Sequence, residues 1–375
     1  MADGQELGTF QGHTTATGSV AWSPDGQTLA SASGDNTIRL WSKDSQGLLT
    51  LIGHSDGVKS VAWTFDGKII ASGSADKDIK LWSKASLEPR TLKGYDGGVK
   101  SVAWSPDGQT IAAALIDGTI RLWGVDDKEL EKIKGHNSAV NSVAWSPDGQ
   151  TLVSAGGDGD MTLKLWKIAN GKYFRIKTLQ ERSVIMSVAW HPDGQTIAVA
   201  LADGAIALRS VAGTQLRTLQ GHMEAVTSVA WSPNGQTIAS ASADKTIKIW
   251  SKDGKLLKTR QSHSKSVNSV AWSPDSQTLA SGSADKTIKI WSKDGQELGT
   301  LKGHSDAVNS VSFNPDGKSV ASASDDKTVL LWNLELLDRA ILLKRGCNWV
   351  RDYLMTNPKV KEDRHLCDGT GTSRS

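Results

Sequence analysis

The chain has 375 residues, 43 of them basic and 40 acidic, for a formal net charge of +3. That balance gives no large field of one sign and argues against nucleic acid as a partner. No apolar run approaches the roughly eighteen residues that span a bilayer, and Met1-Ala2-Asp3-Gly4 lacks a basic-then-apolar leader, so a soluble cytoplasmic protein without membrane partners is expected. Cys347 and Cys367 are the two cysteines, and both lie near the C-terminus. Free thiols in a reducing compartment are the expectation, with a tail disulfide as the alternative.

In chain order, the first patterned segment is Asp3-Gly4-Gln5-Glu6-Leu7-Gly8-Thr9-Phe10, which nearly duplicates Asp294-Gly295-Gln296-Glu297-Leu298-Gly299-Thr300-Leu301. Between and beyond them one unit recurs eight times. Its first aromatic slot falls at Trp22, Trp63, Trp104, Trp145, Trp190, Trp231, Trp272 and Phe313, with six spacings of 41 residues and one of 45. The sixth copy shows the unit best. Ala225 to Trp231 alternates small and apolar residues, as a strand does. Ser232-Pro233-Asn234-Gly235 is a turn, because proline presets φ and Asn-Gly accepts positive φ. Thr237 to Ser242 reads as a second strand, Ile247 to Trp250 as a third, and Leu256 to Thr259 as a weaker fourth.

Four antiparallel strands per unit at this period predict a propeller. The count predicts eight blades, with residues 3–10 supplying the outer strand of the last blade; a seven-bladed ring with one displaced repeat is the alternative. Past Trp332 the pattern changes. Leu334, Leu336, Leu337, Ile341, Leu342 and Leu343, then Trp349, Val350, Tyr353 and Leu354, predict two short helices broken at Gly346. The domain reading is therefore a propeller over 1–333 and a helical extension over 334–375 that packs its apolar face on the propeller.

Gly-His near the start of each unit, the Ser-Pro-Asp-Gly turn, the Ser-x-x-x-Asp spacing and the closing Ile-Trp resemble the WD40 family over roughly residues 4–333. The fold class implied is all-β, an eight-bladed WD40 β-propeller with a short helical C-terminal tail. The aspartate that names the family is replaced by Ser42, Ser83, Ser251 or Ser292, and elsewhere by Gly124, Lys167 or Asn333. The tail, through Arg345-Gly346-Cys347-Asn348-Trp349 and Arg364-His365-Leu366-Cys367, resembles that of cyanobacterial WD40-repeat proteins.

The resemblance implies a buried tetrad in each regular blade: His13, Ser31, Asp35 and Trp41; His54, Ser72, Asp76 and Trp82; His222, Ser240, Asp244 and Trp250; His263, Ser281, Asp285 and Trp291; His304, Ser322, Asp326 and Trp332. The fourth copy keeps His136, Ser154 and Trp166, and its two extra residues leave Asp158 or Asp160 as the acid. Recurrence assigns these sets a structural role, since no enzyme needs a His-Ser-Asp site several times per chain. The match of Gly53-His54-Ser55-Asp56-Gly57 to a nucleophile elbow lacks the strand-to-helix context such an elbow requires.

No catalytic residues are therefore expected, and neither cofactor nor metal. Cys347, His365 and Cys367 fall short of a zinc site. The turn Gly156-Gly157-Asp158-Gly159-Asp160 reads as a lengthened surface loop rather than a calcium site. Lys80, Arg121, Lys164, Lys248 and Lys289 read as solvated edge charges.

Function is sought where the copies differ. The third unit has Tyr95 and Ala113 in the histidine and serine slots, and the fifth has Glu181, Val199 and Arg209 for histidine, serine and tryptophan. Partner-contacting positions of the family, on the narrower top face, project onto Ile116, Val184 and Met186, apolar where neighbouring copies are small or polar. Lys59, Lys100 and Arg182 border them. An apolar centre with a basic rim is the composition of a protein-binding hot spot; the competing account is that Ile116 and Val184 fill space left by the lost tetrads. The resulting expectation is a non-enzymatic scaffold, monomeric, that binds a protein or peptide on its top face. The alternative is a sensor or regulatory module of a signalling NTPase or kinase system.

Overall fold

Each unit reverses direction through a turn held by its own side chains. In Ser23-Pro24-Asp25-Gly26 the Ser23 hydroxyl donates to Asp25 Oδ1 at 2.5 Å and accepts from Thr28 N at 3.0 Å, and the same Asp25 oxygen accepts from Gln27 N at 3.0 Å. Gly26 completes the turn at φ 64°, a left-handed conformation that costs an L side chain steric energy. The innermost strand Thr17–Trp22 is thereby folded back onto Thr28–Ser33. The same arrangement recurs round the molecule.

The structure is a computed structural model that describes residues 6–42, 45–83, 86–93, 96–169, 172–261 and 263–334. The expected helical tail, with Cys347 and Cys367, lies outside the described residues apart from Leu334. Among the described residues, 32 strands form eight four-stranded antiparallel sheets. Seven sheets take four consecutive strands. The eighth takes Val308–Phe313, Ser319–Ser324 and Val329–Asn333, and its outer strand is the N-terminal segment Glu6–Phe10. That strand pairs Phe10 with Val329 and Glu6 with Trp332. The innermost strands touch in sequence, and the eighth returns to the first, so the sheets close into a ring of eight blades.

The second strand of each blade is deeply buried, because another sheet covers each of its faces. Thr28–Ser33 and Ser319–Ser324 are buried at every position. Small residues are required where sheets approach. A Cβ on Gly73 would lie 2.5 Å from Val99 Cγ1 of the next blade, and one on Gly282 would lie 2.7 Å from Val308 Cγ1. The apolar core is divided into eight clusters, one at each blade–blade junction. Trp63 Nε1, Trp145 Nε1 and Trp190 Nε1 add hydrogen bonds across junctions, to the carbonyls of Ala21, Ala103 and Ala144 at 3.1 to 3.2 Å.

The basic residues on the third strands correct the sequence reading. Lys80, Arg121, Lys164 and Lys248 are buried and Lys289 is half-buried, because the outer strand covers the third one. Their stems pack between sheets while their heads reach polar partners. Lys80 Nζ donates to Thr91 Oγ1 at 2.9 Å, Lys248 Nζ to Thr259 Oγ1 at 2.9 Å, and Lys289 Nζ to Thr300 Oγ1 at 2.8 Å. Arg121 pairs with Glu129 at 2.9 Å, and Lys164 Nζ donates to Gly135 O.

Closure rests on Phe10, buried and stacked on Trp41 of the first blade with ring centroids 4.8 Å apart. Phe10→Ala is expected to lower unfolding free energy by about 3–5 kcal/mol in urea titration. A loss below ~1 kcal/mol would show that the closing strand carries little of the ring's stability.

Candidate functional site

In six of the eight blades the recurring polar groups form a network that pins the upper edge. In the sixth blade Trp250 Nε1 donates to Ser240 Oγ at 2.9 Å, Ser240 Oγ lies 2.8 Å from His222 Nε2, and His222 Nδ1 lies 2.9 Å from Asp244 Oδ2. The same three contacts hold His13, Ser31, Asp35 and Trp41 together in the first blade and His54, Ser72, Asp76 and Trp82 in the second. They recur for His263, Ser281, Asp285 and Trp291 in the seventh and for His304, Ser322, Asp326 and Trp332 in the eighth. In the fourth blade the acid is Asp160, buried and 2.9 Å from His136 Nδ1, while Asp158 is exposed in the lengthened turn. Ser154 Oγ there lies 2.7 Å from His136 Nε2 and accepts from Trp166 Nε1 at 2.9 Å.

Two further members were not read from the sequence. A threonine two places after the aspartate donates to it in all of these blades but the second, which has Asp78 there, as Thr246 Oγ1 does to Asp244 Oδ1 at 2.6 Å. The backbone N–H following the histidine also donates to it, as Met223 N does at 3.0 Å. The recurring Asp-x-Thr was the available signal.

Burial sets the direction of the pKa shift for the histidines, and hydrogen bonding sets it for the aspartates. Burial lowers the imidazole pKa of His13, His54, His136 and His222 beneath the ordinary 6.5, against the pull of the facing carboxylates. Burial pushes the Asp160 and Asp244 carboxyls up, but the donated hydrogen bonds from threonine, histidine and backbone prevail and hold both at about 2. Both kinds of group therefore bind fewer protons folded than unfolded, so their contribution is complete above pH 6.5 and is lost as pH falls. The thermal unfolding midpoint is expected to drop as pH falls below about 6.5, and further as the carboxylates protonate between about pH 4 and 2. A midpoint that stays flat from pH 7 to 4 would sink this account of the histidines.

The fifth blade replaces its tetrad with an ion pair rather than merely losing it. Arg209 Nε donates to Glu181 Oε1 and Arg209 Nη2 to Glu181 Oε2, both at 2.8 Å, and Arg209 Nη1 donates to Gln215 Oε1 at 3.0 Å. Glu181 and Arg209 are both buried, in the slots that hold histidine and tryptophan elsewhere. Glu181→Ala strands the guanidinium and is expected to cost about 3–5 kcal/mol, whereas Glu181→Leu with Arg209→Leu is expected to cost less than half of that. Chemical denaturation of the three chains measures it, and equal losses would refute the pairing argument.

The channel end nearest these networks carries a second ring of side chains. In every blade the ladder between the first two strands slips at the second residue of the innermost strand, a β-bulge. The bulged residues are Gly18, Lys59, Lys100, Asn141, Met186, Thr227, Asn268 and Asn309. Several reach to the following blade. Asn141 Nδ2 donates to Ile185 O at 3.5 Å, Thr227 Oγ1 to Val267 O at 2.5 Å, Asn268 Nδ2 to Val308 O at 2.9 Å and Asn309 Nδ2 to Thr17 O at 3.2 Å. Met186 and Gly18 have no polar side-chain group with which to make this reach.

Beside that interruption lies a cavity of about 450 Å³, lined by Lys59, Ala75, Val99, Lys100, Ile116, Asn141, Ile185 and Met186. Four of the six sequence-derived positions are thus together. Ile116 lies over Gly98, where a Cβ would meet its Cδ1 at 3.0 Å, and is 50% exposed; Met186 is 44% exposed. Ile116 is therefore a surface group and not a filler of lost tetrad space. Val184 and Arg182 stand apart from the lining. Val184 is half-buried, its carbonyl accepting from Ala202 N at 2.9 Å, and Arg182 is ion-paired with Asp203. Ala75, Val99, Asn141 and Ile185 complete the lining. Ala75 and Asn141 occupy top-face slots that the family resemblance projects, whereas Val99 and Ile185 were missed; Ile185, isoleucine in a slot that is otherwise valine or threonine, was the available signal.

A smaller cavity of about 270 Å³ lies at the opposite end, between blades five and six. Its charged lining is mixed: Asp193, Arg217, Lys252 and Asp253. Among the described residues no cluster of His, Cys, Asp or Glu has the makings of a metal site.

Eight closed blades with recurrent His-Ser-Asp-Trp networks define a propeller of the repeat-scaffold class. The chain is a WD40-repeat β-propeller protein. The WD domain, G-beta repeat model matches residues 213–251, 254–292 and 295–333, the IFT122 first beta-propeller model matches 1–184, and the anaphase-promoting complex subunit 4 WD40 domain model matches 164–221.

Among solved structures, Chaetomium thermophilum Sqt1 bound to the N-terminus of the ribosomal protein L10 superposes with a TM-score of 0.78 at 21% identity, over 88% of this chain and 100% of that one. The computationally designed Ika8 protein gives 0.78 at 28% identity, with the same two coverages. Curated relatives match over about one blade. A probable cytosolic iron-sulfur protein assembly protein CIAO1 homolog from Chlamydomonas reinhardtii is 49% identical over 39 residues, 10% of this chain and 11% of its own length. The uncharacterized WD repeat-containing protein sll1491 from Synechocystis is 48% identical over 46 residues, 12% of this chain and 13% of its own. Eukaryotic translation initiation factor 3 subunit I from Aspergillus niger is 51% identical over 41 residues, 11% and 12%. The chain thus spans only 11% to 13% of the length of these relatives.

Proposed function

We propose that this propeller is a non-enzymatic scaffold that binds a protein or peptide at the channel mouth over blades two to five. The observation that carries the reading is the cavity of about 450 Å³, in which half-exposed Ile116 and Met186 face a common space floored by buried Val99 and Ile185. Exposed aliphatic groups gathered in one concavity gain free energy when a partner covers them, and the lysines at its edge supply the polar rim of an interface. The WD40 fold typically serves binding rather than catalysis, and the similar Sqt1 propeller was solved with a ribosomal-protein N-terminus bound.

The test is affinity capture from a lysate of the source cell with three baits: the parent, Ile116→Ser with Met186→Ser, and Met223→Ser. Met223 is 91% exposed yet does not line the cavity, so it controls for loss of any surface apolar group. A specific protein held by the parent and the Met223 variant, and lost by the double variant with unchanged circular dichroism, is the expected outcome. Equal recovery by all three would move the site elsewhere.

A further inference from the structure

Resting on that reading, we propose that the mouth takes an acidic segment that carries one large apolar side chain. The apolar half of the argument is the lining itself: Val99, Ile116, Ile185 and Met186 leave about 450 Å³, more than one side chain occupies. The Met186 thioether is flexible and makes favourable contacts with aromatic edges, so an aromatic anchor is preferred.

The charged half comes from the bulge ring. Both charged residues of the lining, Lys59 and Lys100, are cations. They sit at equivalent bulged positions of adjacent blades, and both are exposed. Lys100 Nζ donates to Asn141 Oδ1 at 2.7 Å, a neutral acceptor that leaves its charge uncompensated. For Lys59 the structure gives no hydrogen bond or ion pair among the described residues. Among the described residues no carboxylate lines the cavity, and Asp158, exposed in the lengthened turn of the fourth blade, lies outside the lining. Three nearby carboxylates are oriented by local hydrogen bonds. Asp56 accepts from Gly57 N, Asp76 from His54 and Ser55 N, and Asp117 from Thr119 N and Oγ1. Two uncompensated ammonium groups beside an apolar hollow favour carboxylates that flank an inserted side chain. The hollow is aliphatic and offers no aromatic platform for stacking bases, which disfavours single-stranded nucleic acid.

The experiment is fluorescence anisotropy on the full chain with three fluorescein-labelled decapeptides: one phenylalanine among glutamates, one phenylalanine among lysines, and one serine among glutamates. The acidic phenylalanine peptide is expected to bind at least about tenfold tighter than either other peptide at about 50 mM salt. Lys59→Glu with Lys100→Glu is expected to reverse the preference between the two phenylalanine peptides, and Ile116→Ser with Met186→Ser to weaken the acidic one by about tenfold or more. All four substitutions fall on exposed side chains, and circular dichroism checks each fold.

Equal affinity for the acidic and basic peptides, both lost in the serine variant, overturns the acidic class while the binding hollow stands. Acidic-peptide binding unaffected by either variant overturns both readings. Failure of every peptide to bind, or tighter binding of a labelled oligothymidine, overturns the inference, and affinity capture then decides the wider reading on its own.

Discussion

The structure depends on one constraint: each sheet is apolar on both faces, and so needs a neighbour on both sides. Among the described residues every apolar cluster straddles two blades, and none belongs to one blade alone. A single blade would expose most of what it now buries, so the stable unit is the closed circle. This is why the second strands read as unbroken runs of Ala, Ser, Gly and aliphatic residues, and why a strand from the other end of the chain completes the last sheet.

Given that circle, the polar networks have a local task. They join the loop carrying the histidine to the turn carrying the aspartate, and so fix the upper rim on which the bulged residues sit. The fifth blade reaches the same end with different chemistry, a forked guanidinium–carboxylate pair in place of imidazole and indole. The bulged slot varies among Gly18, Lys59, Asn141 and Thr227 in blades with the ordinary network, and is Met186 in the blade held by Arg209 and Glu181. Variation at the rim and stability below it are carried by different residues.

Much of this was legible in the sequence. Eight copies of one pattern dictate eight equal sheets, and the near-duplication of residues 3–10 and 294–301 points directly to the strand that closes the ring. What escaped reading was whatever depends on pairing rather than on position. The bulges are invisible in Val-Lys-Ser-Val, since only the partner strand's register reveals a slipped residue. Lys80 and Lys248 looked like edge charges because the pattern places them on strands without showing that pairing sets Thr91 and Thr259 of the outer strand against their ammonium groups. The choice between Asp158 and Asp160 was open because two inserted residues break the spacing, and burial of one carboxylate decides it. The ion pair that Arg182 makes with Asp203 escaped reading because it depends on two loops that the sequence does not show side by side.

The pairing of Glu6 with Trp332 places the two strand ends of the eighth blade side by side, as the Lys-Asp-Gly turns do for the corresponding strands of blades six and seven. The ring consequently has no privileged starting point. A circularly permuted chain, opened at any of those turns and joined at the eighth blade by a copy of one, would contain the same eight sheets and the same eight junctions. Only the junction that must wait for the last-made strand would change place.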